Sequence, residues 1–194
     1  FPSQHMKKVK FEGTSAGAWV SLIMIVSYPV IEAKEYWSFC SQKQRQKKGF
    51  FQQIYTKESL RGAFDIMGIK SSDLLEISKR LTVCISRFDN KLHVDYFSDT
   101  KELFQVLMAS SFLPMITGKS LFYRYKDSYC FDGYFSSAIH DKKDVVISMY
   151  KKSKNFLNIY PESSLRGMTF FPPSVEEIDD MFMRGYKDAE DKFR

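Results

Sequence analysis

Gly13-Thr14-Ser15-Ala16-Gly17, with Val9-Lys10-Phe11-Glu12 before it and Ala18-Trp19-Val20-Ser21-Leu22-Ile23-Met24 after it, reads as a short strand, a tight turn and a buried helix. One serine sits at the turn. This is the context in which a G-x-S-x-G pattern carries chemistry, because a nucleophile elbow places serine on a strained strand-to-helix corner with its hydroxyl exposed. A side chain at Gly13 or Gly17 is expected to crowd the turn or the approach of helix to strand. The backbone N–H of Ala16, first in the helix, is expected to point at an oxyanion forming over Ser15. The bare pattern arises by chance in roughly one chain in twenty of this length. A glycine-rich connection with an incidental serine is therefore the competing reading, and the flanking apolar strand and helix favour the elbow.

With 194 residues and 44% hydrophobic content the chain has enough material for one sizeable core, so a single domain over 1–194 is expected. The 16% aromatic fraction argues for a packed globule rather than disorder. A formal charge of +6 suits an anionic surface but selects no partner by itself. Cys40, Cys84 and Cys130 are odd in number, far apart and in no C-x-x-C pair, which speaks against a disulfide framework and a thiolate metal site. A reducing, intracellular setting follows as the expectation. Residues 1–10 carry no signal-peptide pattern and no initial Met, so a fragment or processed form is expected. The run from Ala16 to Ile31 is the most apolar in the chain, yet Ser21, Ser27 and Pro29 interrupt it, and it reads as a core helix.

Pro29 predicts a helix end near Tyr28, followed by a second helix from Val30 to about Phe39. The polar, basic run Ser41 to Gly49 reads as a solvated helix end. Glu58 to Met67, closed by Gly68, and Ser72 to Arg80 are further helix candidates. Leu81–Phe88 and Lys91–Phe97 around Asp89-Asn90 predict a β-hairpin, and Thr100 opens an amphipathic helix through Met108. Short strands are expected at Leu121–Tyr125, Tyr129–Phe131, Asp144–Tyr150 and Asn155–Tyr160. Ser174-x-x-Glu177 is a capping box before a last helix whose apolar positions are Ile178, Met181, Phe182 and Tyr186. The alternation predicts an α/β sandwich with a mostly parallel central sheet.

A serine hydroxyl needs a neighbour to take its proton. His5 lies in a polar terminus, His93 sits mid-strand, and His140-Asp141-Lys142-Lys143 resembles a solvated turn. A carboxylate is the more economical base. Asp132 closes the apolar stretch Tyr129-Cys130-Phe131, and Gly133 lets the chain turn at once, so Asp132 is either a turn-former or a base beside the nucleophile. Trp19, Met24, Phe112, Met115 and Phe122 are either core or the lining of an acyl channel.

Gly13-Thr14-Ser15-Ala16-Gly17-Ala18, then Ala109-Ser110-Ser111-Phe112-Leu113-Pro114, then Asp132-Gly133, resembles the ordered motif set of patatin-like phospholipases. The stretch from Glu102 to Pro114 and the late Arg184-Gly185-Tyr186-Lys187-Asp188-Ala189 look most like the branch that includes adipose triglyceride lipase. The resemblance spans nearly the whole chain. It implies a three-layer α/β/α fold and lipid acyl hydrolysis by a Ser–Asp dyad without histidine, Ser15 as nucleophile and Asp132 as base. It further implies a glycerolipid or phospholipid substrate met at a membrane or lipid-droplet surface, with no cofactor. No metal is expected because no His/Cys/Asp cluster has ligand spacing, and no nucleic acid because the basic residues from Lys43 to Lys48 are not interleaved with aromatics. Two departures stand out. The family's glycine-rich oxyanion loop, with its first strand, has no counterpart in residues 1–12, and Tyr134 follows Gly133 where the family has another glycine. A chain truncated at its N-terminus, or a relative that binds lipid surfaces or partners without hydrolysis, are the expectations these departures raise.

Overall fold

Strand β1, Phe11–Thr14, runs straight into helix α1, Ala16–Ile25, with Ser15 alone between them. The computed structural model describes residues 8–46, 56–88, 90–133, 145–147, 157–159 and 172–193. The chain divides into two compact units, Phe1–Tyr36 with Tyr55–Ser137, and Trp37–Ile54 with Ala138–Arg194. Helix α2, Val30–Arg45, begins in the first and ends in the second. It outruns the expected end near Phe39, and α1 stops three residues short of Tyr28.

The rest of the first unit comprises α3 (Lys57–Ile66), α4 (Leu74–Arg80), β2 (Leu81–Arg87), β3 (Lys91–Val94), α5 (Thr100–Ser110), β4 (Tyr123–Tyr125) and β5 (Ser128–Phe131). Helix starts follow local chemistry. Thr56 Oγ1 accepts the Ser59 N–H at the head of α3, and Asp99 Oδ1 accepts the Glu102 N–H at 2.6 Å at the head of α5. Ser72 does not cap α4; it lies inside a 3₁₀ turn, Ser71–Asp73, and the Lys70 N–H just before that turn donates to the Asp73 carboxylate.

β1 pairs with β2 in parallel, while β2–β3, β2–β5 and β4–β5 are antiparallel. The fold is mixed α/β with an open sheet that includes parallel pairing; in this sheet the described pairs are mixed rather than mostly parallel. The register decides where the strands meet. Val83 and Cys84 pair with β1 and with β3, so those two strands lie on opposite edges of β2. Ser86 pairs with Lys91 of β3 and with Phe131 of β5, so β5 lies on the β1 edge. β1 therefore ends opposite Cys84, and β5 arrives from the other direction to end opposite Ser86. Two strand ends converge on one short length of β2.

α1 covers the sheet face that bears Gly13, Val83 and Ile85, because a Cβ on Gly13 would stand only 2.6 Å from the Ala18 backbone. α5 packs beside it through Trp19 and Phe104, ring centroids 6.4 Å apart, and Phe64 of α3 adds an edge contact to Phe104 at 5.4 Å. Leu22, Val83, Ile85, Leu103 and Leu107 are fully enclosed, each stabilising the fold by about 1.5–3 kcal/mol relative to exposure.

In the second unit, β6 (Val145–Ile147) and β7 (Leu157–Ile159) pair in parallel within the two stretches expected to be strands. α6, Val175–Phe193, opens on the expected capping box: the Glu177 carboxylate accepts the Ser174 N–H, and Ser174 Oγ accepts the Glu177 N–H. The start of the basic run differs from a solvated helix end. Ser41 and Gln44 are buried; the Ser41 hydroxyl donates to the Pro173 carbonyl and Arg45 donates to that of Pro172. Helical spacing explains this, since positions 41, 44 and 45 share one side of α2. Among the described residues no helix is long and apolar enough to cross a membrane.

Candidate active site

Ser15 has φ 51° and ψ −130°, a conformation that L side chains adopt at a cost of about 1–3 kcal/mol. The positive φ thus falls on the serine itself, and the flanking glycines have unequal jobs. Gly13 is required by contact, because any Cβ there would collide with Ala18. Gly17 is not. Nothing lies within 4 Å of where its Cβ would be, and it faces outward from the second position of α1, which corrects the expectation that both glycines relieve crowding.

The Ser15 hydroxyl donates to Asp132 Oδ2 at 2.5 Å across 117 residues of sequence. This contact is the consequence of the convergence on β2, since Ser15 follows the last residue of β1 and Asp132 the last residue of β5. Asp132 is only 2% exposed, whereas Ser15 is half-buried and Ala16 and Gly17 are exposed, so the dyad opens on the side where α1 begins. The geometry places the Asp132 carboxylate beside the serine, as its reading as a base requires.

Three supports hold the pair, and sequence reasoning gave two of their serines no role. Ser110 Oγ accepts the Ser15 N–H at 3.0 Å and donates to the Cys84 carbonyl at 2.6 Å, tying the elbow to α5 and β2 together. Ser86 Oγ donates to the Asp132 carbonyl at 2.7 Å. The Asp132 N–H donates to the Phe112 carbonyl at 2.9 Å. The Ala109–Pro114 motif pointed at this region without giving Ser110 a task; Ser86 lies in a strand that reads only as β. Gly133 is required here too, because a Cβ would run into the Cys84 carbonyl oxygen and stand 3.2 Å from Thr14 Cβ. Tyr134, His5 and His140 lie outside the described residues.

At the start of α1 the Ser15 side chain makes no capping bond, and of the first backbone N–H groups that of Ala18 donates to the Ser15 carbonyl at 3.0 Å. Of the proposed channel residues, Trp19 and Phe112 are core, with the Trp19 indole donating to Ser111 Oγ at 3.0 Å; Met24 and Met115 are exposed, and Phe122 is half-buried.

Glu102 anchors the hairpin that carries Asp132. It accepts from Tyr125 OH at 3.0 Å, lies 2.8 Å from Lys126 Nζ, and accepts from the Ser98 hydroxyl and N–H. The Lys126 contact and then the Ser98 bonds hold its carboxyl well below the usual range, at about 2. Burial pushes the Cys130 thiol, beside the dyad in sequence, up from its ordinary value.

One grouping has the donor types of a metal site: Glu12, Cys84 and His93 bring their ligating atoms within 4.8 Å of one another from three adjacent strands. The contact described there is a thiol-to-carboxylate hydrogen bond, Cys84 Sγ to Glu12 Oε1 at 3.6 Å. No protein-family model matches the chain, and no curated protein matches it in sequence.

Proposed function

We propose that this chain is a lipid acyl hydrolase of the patatin-like kind, built as a three-layer α/β/α sandwich, with Ser15 as nucleophile and Asp132 as general base. The observation that carries the reading is the 2.5 Å hydrogen bond between a strained serine and a buried carboxylate brought together by two strand ends. Asp132 takes the proton as Ser15 Oγ bonds to the ester carbonyl carbon, and negative charge develops on the carbonyl oxygen. Backbone N–H groups at the start of α1, that of Ala16 first, stabilise that charge. The tetrahedral intermediate collapses, the C–O bond to the alcohol breaks, and the leaving alkoxide takes the proton from Asp132. A water then gives its proton to Asp132, attacks the acyl-enzyme and releases the carboxylic acid, and Ser15 regains its proton.

A lipid substrate is supported by the apolar outer side of α1. Val20, 55% exposed, and Met24 follow Gly17 at helical spacing, and an acyl chain lying along them would reach the serine. The test is hydrolysis of a short-chain nitrophenyl ester and of a phospholipid by the chain, with Ser15→Ala and Asp132→Asn as controls. Turnover abolished by both substitutions supports the proposal, and turnover unaffected by Ser15→Ala removes it.

A second reading, lipid binding without turnover, draws on one observation. The Ser15 N–H is engaged by Ser110 Oγ, which leaves the first turn of α1 as the described source of oxyanion donors. Phospholipid binding with no serine-dependent hydrolysis would select it.

A further inference from the structure

The sheet face opposite α1 carries a run of aromatic rings at the end where β2 and β5 meet. Register places Phe131 opposite Ser86 and therefore Phe88 beside Tyr129, all on that face. Phe88 touches Phe122 and Phe131, with centroids 4.7 and 5.7 Å apart, and Phe122 touches Tyr129 at 6.1 Å, so the four rings form one contiguous surface. Two of the rings are turned to solvent, Phe88 69% and Tyr129 60% exposed, and Phe122 and Phe131 are half-buried beside them. Exposed rings clustered in this way mark a contact surface rather than the scatter of apolar residues normal on a globule.

We propose that this aromatic face docks the protein on a phospholipid surface that carries anionic headgroups. Charge on the same face selects the partner. Arg124 pairs with Tyr129 and Lys91 with Ser86, so two exposed cations flank the rings, while Glu12, the one carboxylate among the described strand residues of that face, stands at the far end of β1. Rings that enter the interfacial layer beside cations that meet lipid phosphates and carboxylates are the combination an anionic bilayer attracts. Phe131 immediately precedes Asp132, so the face adjoins the dyad along the chain. The proposal rests on the lipid-hydrolase reading for its choice of a lipid partner.

The test is flotation of the whole chain with vesicles of phosphatidylcholine alone and with phosphatidylserine added, using Phe88→Ser/Tyr129→Ser and Arg124→Gln/Lys91→Gln, with circular dichroism to confirm folding. The native chain is expected to float with the serine-lipid vesicles and to be released by salt. The ring variant should bind about tenfold less to them. The charge variant should lose the preference for phosphatidylserine, and both should hydrolyse a soluble short-chain ester as the native chain does. Failure of the native chain to float, or equal flotation of the folded ring variant, overturns the proposal. So does a solution dimer that the ring variant dissociates while vesicle binding stays unchanged, because the face would then join two copies. Binding by Ser15→Ala at the native level with no serine-dependent hydrolysis in the native chain would leave the docking face standing and remove the hydrolase reading.

Discussion

Ser15 concentrates strain, hydrogen bonding and access at one residue. A positive φ in a non-glycine residue persists only where neighbours over-determine it, and here Ser110 holds its N–H, Asp132 its hydroxyl, and the Ala18 N–H its carbonyl. Ser110→Ala leaves the Ser15 N–H and the Cys84 carbonyl without that partner, so thermal unfolding should show a loss of about 1–3 kcal/mol. Ester turnover should fall with it, as the elbow loosens. The two glycines beside the dyad separate by the same logic. Gly17→Ala adds a methyl to open space on a helix and should raise stability by up to about 1 kcal/mol in denaturant titration. Gly133→Ala forces Cys84 or Thr14 to move and should cost both stability and turnover. On the proposed mechanism Asp132→Asn keeps the shape but removes the base, and kcat/KM is expected to drop by about 10³-fold or more with the fold intact by circular dichroism.

At the scale of elements, the decisive arrangement is two short strands meeting head to head along one edge of β2. Both ends lean on the end of helix α5 and the turn after it, through Ser110 and the backbone of Phe112. The β4–β5 hairpin is in turn fixed to the head of α5 by Glu102. A carboxyl whose folded value is depressed contributes stability that is present above its unfolded value and lost as pH falls through its folded value. The Glu102 contribution is therefore complete above about 4.5 and disappears as pH falls towards about 2. Thermal midpoints measured down this range should fall for the native chain, and that part of the fall should be missing in Glu102→Gln. Asp99→Ala, which removes the cap of the same helix, is expected to cost about 1 kcal/mol at neutral pH.

At the scale of the whole molecule, the three cysteines are buried and none is in a disulfide, so Ellman's reagent should label them only on unfolding and reductant should leave the unfolding midpoint unchanged. The helices at 16–25, 57–66, 100–110 and 175–193 and the 81–94 hairpin were legible because each is written in neighbouring residues: apolar positions at 3.6 or 2 spacing, and capping groups within a few places. The elbow was legible for the same reason. Pairing was not. Whether a strand runs with or against its neighbour, and on which edge, depends on pairs such as Phe11–Leu81 and Ser86–Phe131, far apart in sequence, and local pattern carries no record of them. Ser86 and Ser110 look like any strand or helix serine until the chain closes round them, and the aromatic face exists only because hairpin and sheet bring four separated rings side by side. By itself, then, the sequence determined most of the elements, the elbow serine and one carboxylate it could meet. The meeting of Ser15 with Asp132 was decided by tertiary structure, because a 2.5 Å contact across 117 residues is a property of strand register, which the chain acquires only when it folds.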